Sequence, residues 1–332
     1  MALKWGFAAA GKISHDFVTA LGTLNETDHQ VVAVTDPFCS SQEFADRFGI
    51  PKAYSTYLEL AQDANVEVVH IGVLNPKHLE VALLMLEHGK HVLLEKPLCM
   101  NEKQARQLIA FAEQKKLFLM EAIWSRFLPS NLYVRQQIES GVLGEITSVE
   151  VEFGFEGLDK LERISRKDLG GGSLLDLGVY TIIYCQFVFQ KQPLSVVATG
   201  TLNKDGVDLE MCGEIRYGDN KVGKIKSSVV KSLSNTAKII GTKGQITIPN
   251  FWSSFSLIDV DGSEKNWPLP EAKHAFNYTN SCGLRYEAEE VRRCIRAGKM
   301  ESESVTHKES LLFLRIADEV RKQIGVKFPQ DD

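Results

Sequence analysis

The first third of the chain alternates short apolar runs with stretches of helical periodicity. Residues 2–10 form a β-prone run, and residues 11–24 follow with helical spacing. Apolar runs return at 30–35, 66–73, 91–94 and 117–120, separated by helix candidates at 41–48, 77–89 and 101–116. Near-continuous apolar strands belong to a parallel sheet covered on both faces, and right-handed crossovers make such a sheet doubly wound. Beyond about residue 145 the period changes. Residues 147–153 alternate apolar and polar, as do 213–217, 223–229, 238–240 and 245–248. Period two predicts antiparallel strands with one buried face. Helices predicted at 173–188, 284–297 and 307–324 complete an α+β unit. The expected fold class is α/β: a doubly wound parallel sheet over residues 1–122, then an α+β domain over 123–332 with an open, mostly antiparallel sheet.

Composition narrows the function. The chain has 332 residues, 44% hydrophobic and 24% charged, an ordinary globular balance with room for about two domains. Net charge is −5 and no run of five Lys/Arg occurs, which argues against nucleic acid as a partner. No stretch of 18 uncharged apolar residues occurs, and Gly6 interrupts the short apolar start, so neither a membrane span nor a signal segment is expected. Six cysteines are scattered without a CxxC pair or a His/Cys cluster. They fit reduced thiols in a cytoplasmic protein without a metal site. A small-molecule site is the expectation.

Ligands of a doubly wound sheet bind outside the carboxyl ends of its strands. After the first strand stands Gly6-Phe-Ala-Ala9-Ala-Gly11-Lys12-Ile13-Ser14. Against G-x-G-x-x-G only the middle glycine remains, with Ala9 and Ser14 at the outer positions. Gly11 lets backbone amides approach a pyrophosphate, although a plain strand–helix turn accounts for it equally. Asp36 ends the second strand, where an acid binds the adenosine ribose and repels a 2′-phosphate; this favours NAD, unless Asp36-Pro37 is only a turn starter. Glu95-Lys96-Pro97 closes the fourth strand on the same edge. Lys96 is placed to hold a ribose hydroxyl and lower a neighbouring acid's pKa, with a surface ion pair to Glu95 as the alternative. Asn75 and His78 after the third strand, and Trp124 and Arg126 after the fifth, also reach that edge; structural roles compete for His78 and Trp124. Further along, Gly170-Gly-Gly-Ser173-Leu-Leu-Asp176-Leu-Gly-Val-Tyr180 precedes and opens a helix. Asp176 and Tyr180 share one helical face, and tyrosine serves as an acid–base only where a cation stabilises its phenolate. Ser173-x-x-Asp176 is also a capping-box pattern, and Tyr180 also suits a helix core.

These motifs, in this order, resemble the glucose–fructose oxidoreductase / inositol dehydrogenase family, and more nearly its dihydrodiol-oxidising subgroup. Supporting segments are Leu117-Phe-Leu-Met-Glu-Ala-Ile-Trp124-Ser-Arg126-Phe, Leu233-Ser-Asn-Thr-Ala237, Gly241-Thr-Lys-Gly244 and Ile324-Gly-Val-Lys-Phe-Pro-Gln330. The resemblance runs nearly end to end. It implies an N-terminal Rossmann domain, NAD(P) as cofactor and hydride transfer from a CH–OH group of a trans-dihydrodiol or a cyclic aldose such as D-xylose. It implies that Lys96 contacts the nicotinamide ribose and that Tyr180, where many members carry histidine, transfers the proton beside Asp176. Ala9, Gly11, Lys12, Ile13, Asp36, Asn75, His78, Glu95, Lys96, Trp124 and Arg126 are the expected cofactor contacts. Trp124, Phe153, Trp252 and Tyr278 are the expected walls of the substrate pocket, and a homodimer through the C-terminal sheet is expected. The subgroup uses NADP, with arginine past the second strand where this chain has Asp36-Pro-Phe-Cys-Ser-Ser. Residues 154–166 depart from the subgroup's pattern. An NAD-dependent polyol or inositol dehydrogenase, and a non-catalytic dinucleotide-binding sensor, are the rival readings.

Overall fold

The structure, a computed structural model, describes residues 1–218 and 220–332. The chain forms two compact units that are interleaved in sequence. The first comprises Met1–Cys99, Lys103–Phe127 and Leu269–Ser310; the second comprises Met100–Glu102, Leu128–Pro268 and Leu311–Asp332.

In the first unit the apolar runs become strands β1 (Leu3–Ala8), β2 (His29–Thr35), β3 (Lys52–Tyr54), β4 (Val68–Ile71), β5 (His91–Glu95) and β6 (Leu119–Ala122). All pair in parallel, in the order β3-β2-β1-β4-β5-β6. Strand order reverses between β1 and β4, and ligands of such sheets bind beyond the carboxyl ends there. Helices α1 (Lys12–Leu21), α2 (Ser41–Phe48), α3 (Tyr57–Gln62), α4 (His78–Glu87) and α5 (Glu102–Lys115) supply the crossovers. The core is apolar on both sheet faces: Trp5, Phe7, Val69, Ile71, Leu93 and Phe17 are fully buried.

The second unit opens with α6 (Pro129–Glu139) and β7 (Ile146–Gly154). A short turn α7 (Glu162–Ser165) and the apolar α8 (Val179–Phe189) lead to β8 (Ser195–Leu202), β9 (Asp208–Gly218), β10 (Lys221–Ser228), β11 (Thr236–Gly241), β12 (Gly244–Pro249), β13 (Ser256–Ile258) and β14 (Glu264–Asn266). The eight strands form one sheet in the order β14-β13-β12-β11-β7-β10-β9-β8, antiparallel except for the β7–β10 pair. The fold class expected from sequence is the one observed. Alternation in β7 buries Val149, Val151 and Phe153 and turns Glu150 and Glu152 outward. Helix α8 lies on the buried face at close range. A Cβ on Gly178 would stand 2.7 Å from the Met211 methyl and 3.0 Å from Ser227 Oγ, and one on Gly223 would stand 2.7 Å from Cys185 Sγ.

Helix α9 (Leu284–Arg296) forms where its periodicity predicts, but it belongs to the first unit. Its apolar stripe Leu284, Ala288 and Val291 is buried, and it packs on α1 and on the turn Trp124–Phe127. Polar ties hold it there: Arg296 bonds Glu67 at 2.7 Å, and Glu289 meets His29 Nε2 at 3.0 Å. The division expected at 122/123 is continuous, whereas the observed units exchange this segment. The last helix, α10 (His307–Ile324), starts in the first unit and ends in the second.

Candidate active site

At the carboxyl edge of the parallel sheet, the turn after β1 is shaped by its missing glycine. Ala9 takes φ 97°, a conformation costly for a residue with a Cβ. Two ties hold it: Ala9 N–H donates to Thr35 O at 2.8 Å, and Ala10 N–H donates to Asp36 Oδ2 at 2.8 Å. Asp36 also accepts from the amides of Phe38 (2.9 Å) and Cys39 (3.1 Å) through Oδ1. The carboxylate thus joins the turn after β1 to the loop after β2. Its charge acts on two nearby groups. It is the foremost cause raising the Cys39 thiol, and it adds to burial in pushing Tyr57 up to about 12.

These residues suit a dinucleotide's pyrophosphate. Helix α1 begins at Gly11 without a side-chain cap and with no acid in its first turn, so its leading amides face no competing anion from that turn. Gly11 is exposed, with open space where a side chain would stand. The Ser14 hydroxyl is wholly buried and has no hydrogen-bond partner. Gly72, after β4, approaches so closely that a Cβ there would stand 2.9 Å from Ile13 and 3.2 Å from Ser14 Oγ. Lys12 is exposed and Ile13 half-buried on that first turn.

The neighbouring loops carry the other expected residues. Asn75 and Lys96 are half-buried at the ends of β4 and β5. His78 is 1% exposed, with Nδ1 2.8 Å from Pro97 O and Nε2 3.1 Å from Val73 O, and so bridges the two loops. Lys96–Pro97 is a cis peptide. Glu95 meets His70 Nε2 at 3.3 Å. Nearby charge comes from Glu287 of α9, fully buried with neither oxygen partnered; burial, then repulsion from Glu95, holds its carboxyl well above the usual range. Trp124 and Arg126 lie buried in the turn after β6, where Arg126 pairs with Glu309 at 3.1 Å. Tyr278 is 43% exposed and anchored by its amide to Asp16 on α1 at 2.9 Å.

In the second unit, Tyr180 stands in the first turn of α8, 7% exposed. Its ring meets Phe153 edge-on at 5.7 Å and 85°, and Phe153 stacks on Trp252 at 4.3 Å and 28°. Phe155 and Phe251 extend the aromatic wall, each within 5.6 Å of Phe153. Neither was singled out from sequence, although Phe155 continues the alternation of β7 and Phe251 adjoins Trp252. The helix start is anchored by Asp208, which accepts from Leu174 N–H (2.7 Å) and Ser173 Oγ (2.8 Å). The capping-box alternative for Ser173 and Asp176 is corrected here. Ser173 is helical and makes no cap bond, and 174–178 winds as a π-turn, a distortion frequent at functional sites. Asp176 instead pairs with Arg163 at 2.7 Å, so the divergent 154–166 segment contributes a cation beside it. On the opposite face of this sheet lies a concavity of about 900 Å³ lined by Glu150, Glu152, Val197, Glu214, Lys224 and Lys226 among others. Among the described residues no His, Cys, Asp or Glu cluster suits a metal ion, and no helix is long and apolar enough to cross a membrane.

A family model described as "Oxidoreductase family, NAD-binding Rossmann fold" matches residues 3–123, and one described as "GFO/IDH/MocA C-terminal domain" matches residues 131–247. The chain is 42% identical over 334 residues to the trans-1,2-dihydrobenzene-1,2-diol dehydrogenase of Danio rerio, covering 100% of this chain and 99% of the relative. Two solved structures share the fold. One is the 3-ketoreductase KijD10 of Actinomadura kijaniata in complex with NADP and TDP-benzene, at TM-score 0.83 and 21% identity over 98% of both chains. The other is levoglucosan dehydrogenase in complex with NADH and levoglucosan, at TM-score 0.83 and 19% identity over 98% of both chains.

Proposed function

The chain belongs to the GFO/IDH/MocA oxidoreductase family as an NAD(P)-dependent dehydrogenase of CH–OH groups, and from that premise we propose a trans-dihydrodiol or cyclic aldose substrate. The observation that carries the substrate class is the Tyr180–Phe153–Trp252 array. Ring faces beside a hydroxyl suit a cyclic molecule with an apolar side better than an open polyol. The 42% relative, a dihydrodiol dehydrogenase, supports the same class.

Tyr180 would accept the substrate hydroxyl proton on Oη, and Lys96 would contact the nicotinamide ribose. The chemistry a bound nicotinamide would supply is acceptance of the hydride from the carbon that bears that hydroxyl. Asp176, paired with Arg163, orients polar groups beside Tyr180. On the cofactor side, the amides of Gly11, Lys12 and Ile13 would hold the pyrophosphate, with Ala9 shaping the turn, and Asp36 would meet the adenosine ribose. Asn75, His78, Glu95, Trp124 and Arg126 complete the cofactor's surroundings, while Trp124 and Tyr278 add to the aromatic positions around substrate. The negative field of Asp36, felt by Cys39 and Tyr57, supports NAD over NADP. The same field is the one observation favouring an NAD-dependent polyol dehydrogenase, against which the aromatic array speaks.

The concave outer face of the second unit's sheet, with Val197 59% exposed among charged neighbours, supports a homodimer formed there by two like surfaces. Six unpaired cysteines support a reducing, cytoplasmic setting. The experiment is an initial-rate panel of dihydrodiols, pentoses and inositols with NAD and NADP in turn. Turnover of a dihydrodiol or xylose, faster with NAD, is the expected result. Preference for inositol overturns the substrate class, and preference for NADP overturns the role of Asp36.

A further inference from the structure

Residues 269–280 cross the first unit as an irregular strap, so their backbone amides look outside a ladder or helix for partners. Asp16, fully buried on α1, takes two of them. Its Oδ1 accepts the Asn277 amide and Asn277 Nδ2, each at 2.8 Å, and its Oδ2 accepts the Tyr278 amide at 2.9 Å. His15 Nδ1 stands 3.1 Å from the same Oδ1. Asn277 Nδ2 also lies 3.0 Å from His15 Nδ1 and 3.5 Å from Lys12 O, so its side chain runs along the first turn of α1. Ring contacts add a second tie: His274 meets Phe48 at 4.9 Å and 69°, and Phe48 meets His15 at 5.1 Å and 70°. A buried carboxylate is costly unless several donors reach it, and here three come from one dipeptide of the strap. The strap is therefore pinned at Asn277 and Tyr278, while Tyr278 itself remains 43% exposed.

We infer that Asp16 is a positioning residue for Tyr278, holding the strap on α1 and so fixing that ring as a wall for substrate. The inference rests on the assignment of Tyr278 to the substrate. A wall on an irregular segment helps binding only if it is ordered before the substrate arrives. Otherwise each binding event must order it, and affinity falls by that cost. Tyr180 and Lys96 belong to other elements, so the loss falls on KM and leaves kcat.

Asp16→Asn keeps the size of the side chain, removes the charge and turns an NH2 group toward the donors of the strap. The probe is the better substrate of trans-1,2-dihydrobenzene-1,2-diol and D-xylose, at saturating NAD. The expected result is a substrate KM raised about 10-fold, with kcat nearly unchanged and dinucleotide affinity, read by fluorescence quenching, equal to the parent's. Tyr278→Ala and the double variant are measured alongside. Because Asp16 acts through Tyr278, Asp16→Asn should add nothing to KM in the Tyr278→Ala background. If the parent turns over neither probe, or Tyr278→Ala keeps the parent's KM, the assignment of Tyr278 to substrate fails and the inference falls with it. If Tyr278→Ala raises KM while Asp16→Asn leaves it normal, or the two effects multiply in the double variant, the inference alone is overturned. Weakened dinucleotide affinity at a normal KM overturns it as well. Should Asp16→Asn fail to fold, as read by its melting curve, Asn277→Ala decides: it keeps the carboxylate and both amide bonds and removes the side-chain tie. The inference then predicts a KM rise of about 3-fold that vanishes in the Tyr278→Ala background, and an unchanged KM overturns it.

Discussion

A carboxyl group without a hydrogen-bond partner is among the costliest side chains to bury, and Glu287 is one. It lies on the apolar stripe of α9, and Glu95 adds repulsion to the loss of water. The folded chain therefore keeps its proton where the unfolded chain, at the ordinary value of 4.5, has released it. Above that value the folded state binds the extra proton, so stability is lost as pH rises toward the folded pKa. Glu287→Gln removes this dependence. Its melting temperature should gain on the parent's progressively above about pH 5; parallel melting curves against pH would contradict the assignment. Glu287 was not singled out from sequence, although its spacing sets it on the stripe of Leu284, Ala288 and Val291, because a glutamate among charged neighbours reads as solvated until the packing of α9 is known. The placement of Asp36 and Lys96 was legible for the opposite reason: each directly follows an apolar strand of the parallel sheet.

Elements were legible where burial imposes a period. The continuous runs of β1, β2, β4, β5 and β6 and the alternation of β7, β10, β11 and β12 follow directly from two-faced and one-faced covering. Strand β8 escaped because it is an edge strand, with only Ala198 buried, and so shows no alternation. β3, β13 and β14 have three residues each, too few to show a period. Helix α6, opened by Pro129, carries no clear apolar stripe; Ser130, Asn131 and Val134 are its buried residues. The start of α8 shows the limit for the site. Ser173-x-x-Asp176 has the letters of a capping box, yet Asp208, 35 residues on, takes the hydroxyl instead. A contact between a helix start and a later strand has no local signature, whereas the glycines that admit α8 to the sheet do leave one.

At the scale of the whole molecule, the chain carries two sheets, one parallel and one mostly antiparallel. The outer face of the second sheet is the one proposed for a homodimer. Lys224 pairs with Glu150 at 2.8 Å along this sheet, and Val197 is an exposed apolar position. Val197→Arg should convert a sedimenting dimer into a monomer without loss of helix or strand content; a parent chain that already sediments as a monomer contradicts this interface. Tyr180→Phe removes one atom and so tests directly whether Tyr180 takes the proton during hydride transfer. The account predicts that this variant still binds dinucleotide, seen as quenched protein fluorescence, while the appearance of reduced nicotinamide with a dihydrodiol falls by about 100- to 10,000-fold. Turnover undiminished in Tyr180→Phe would contradict it.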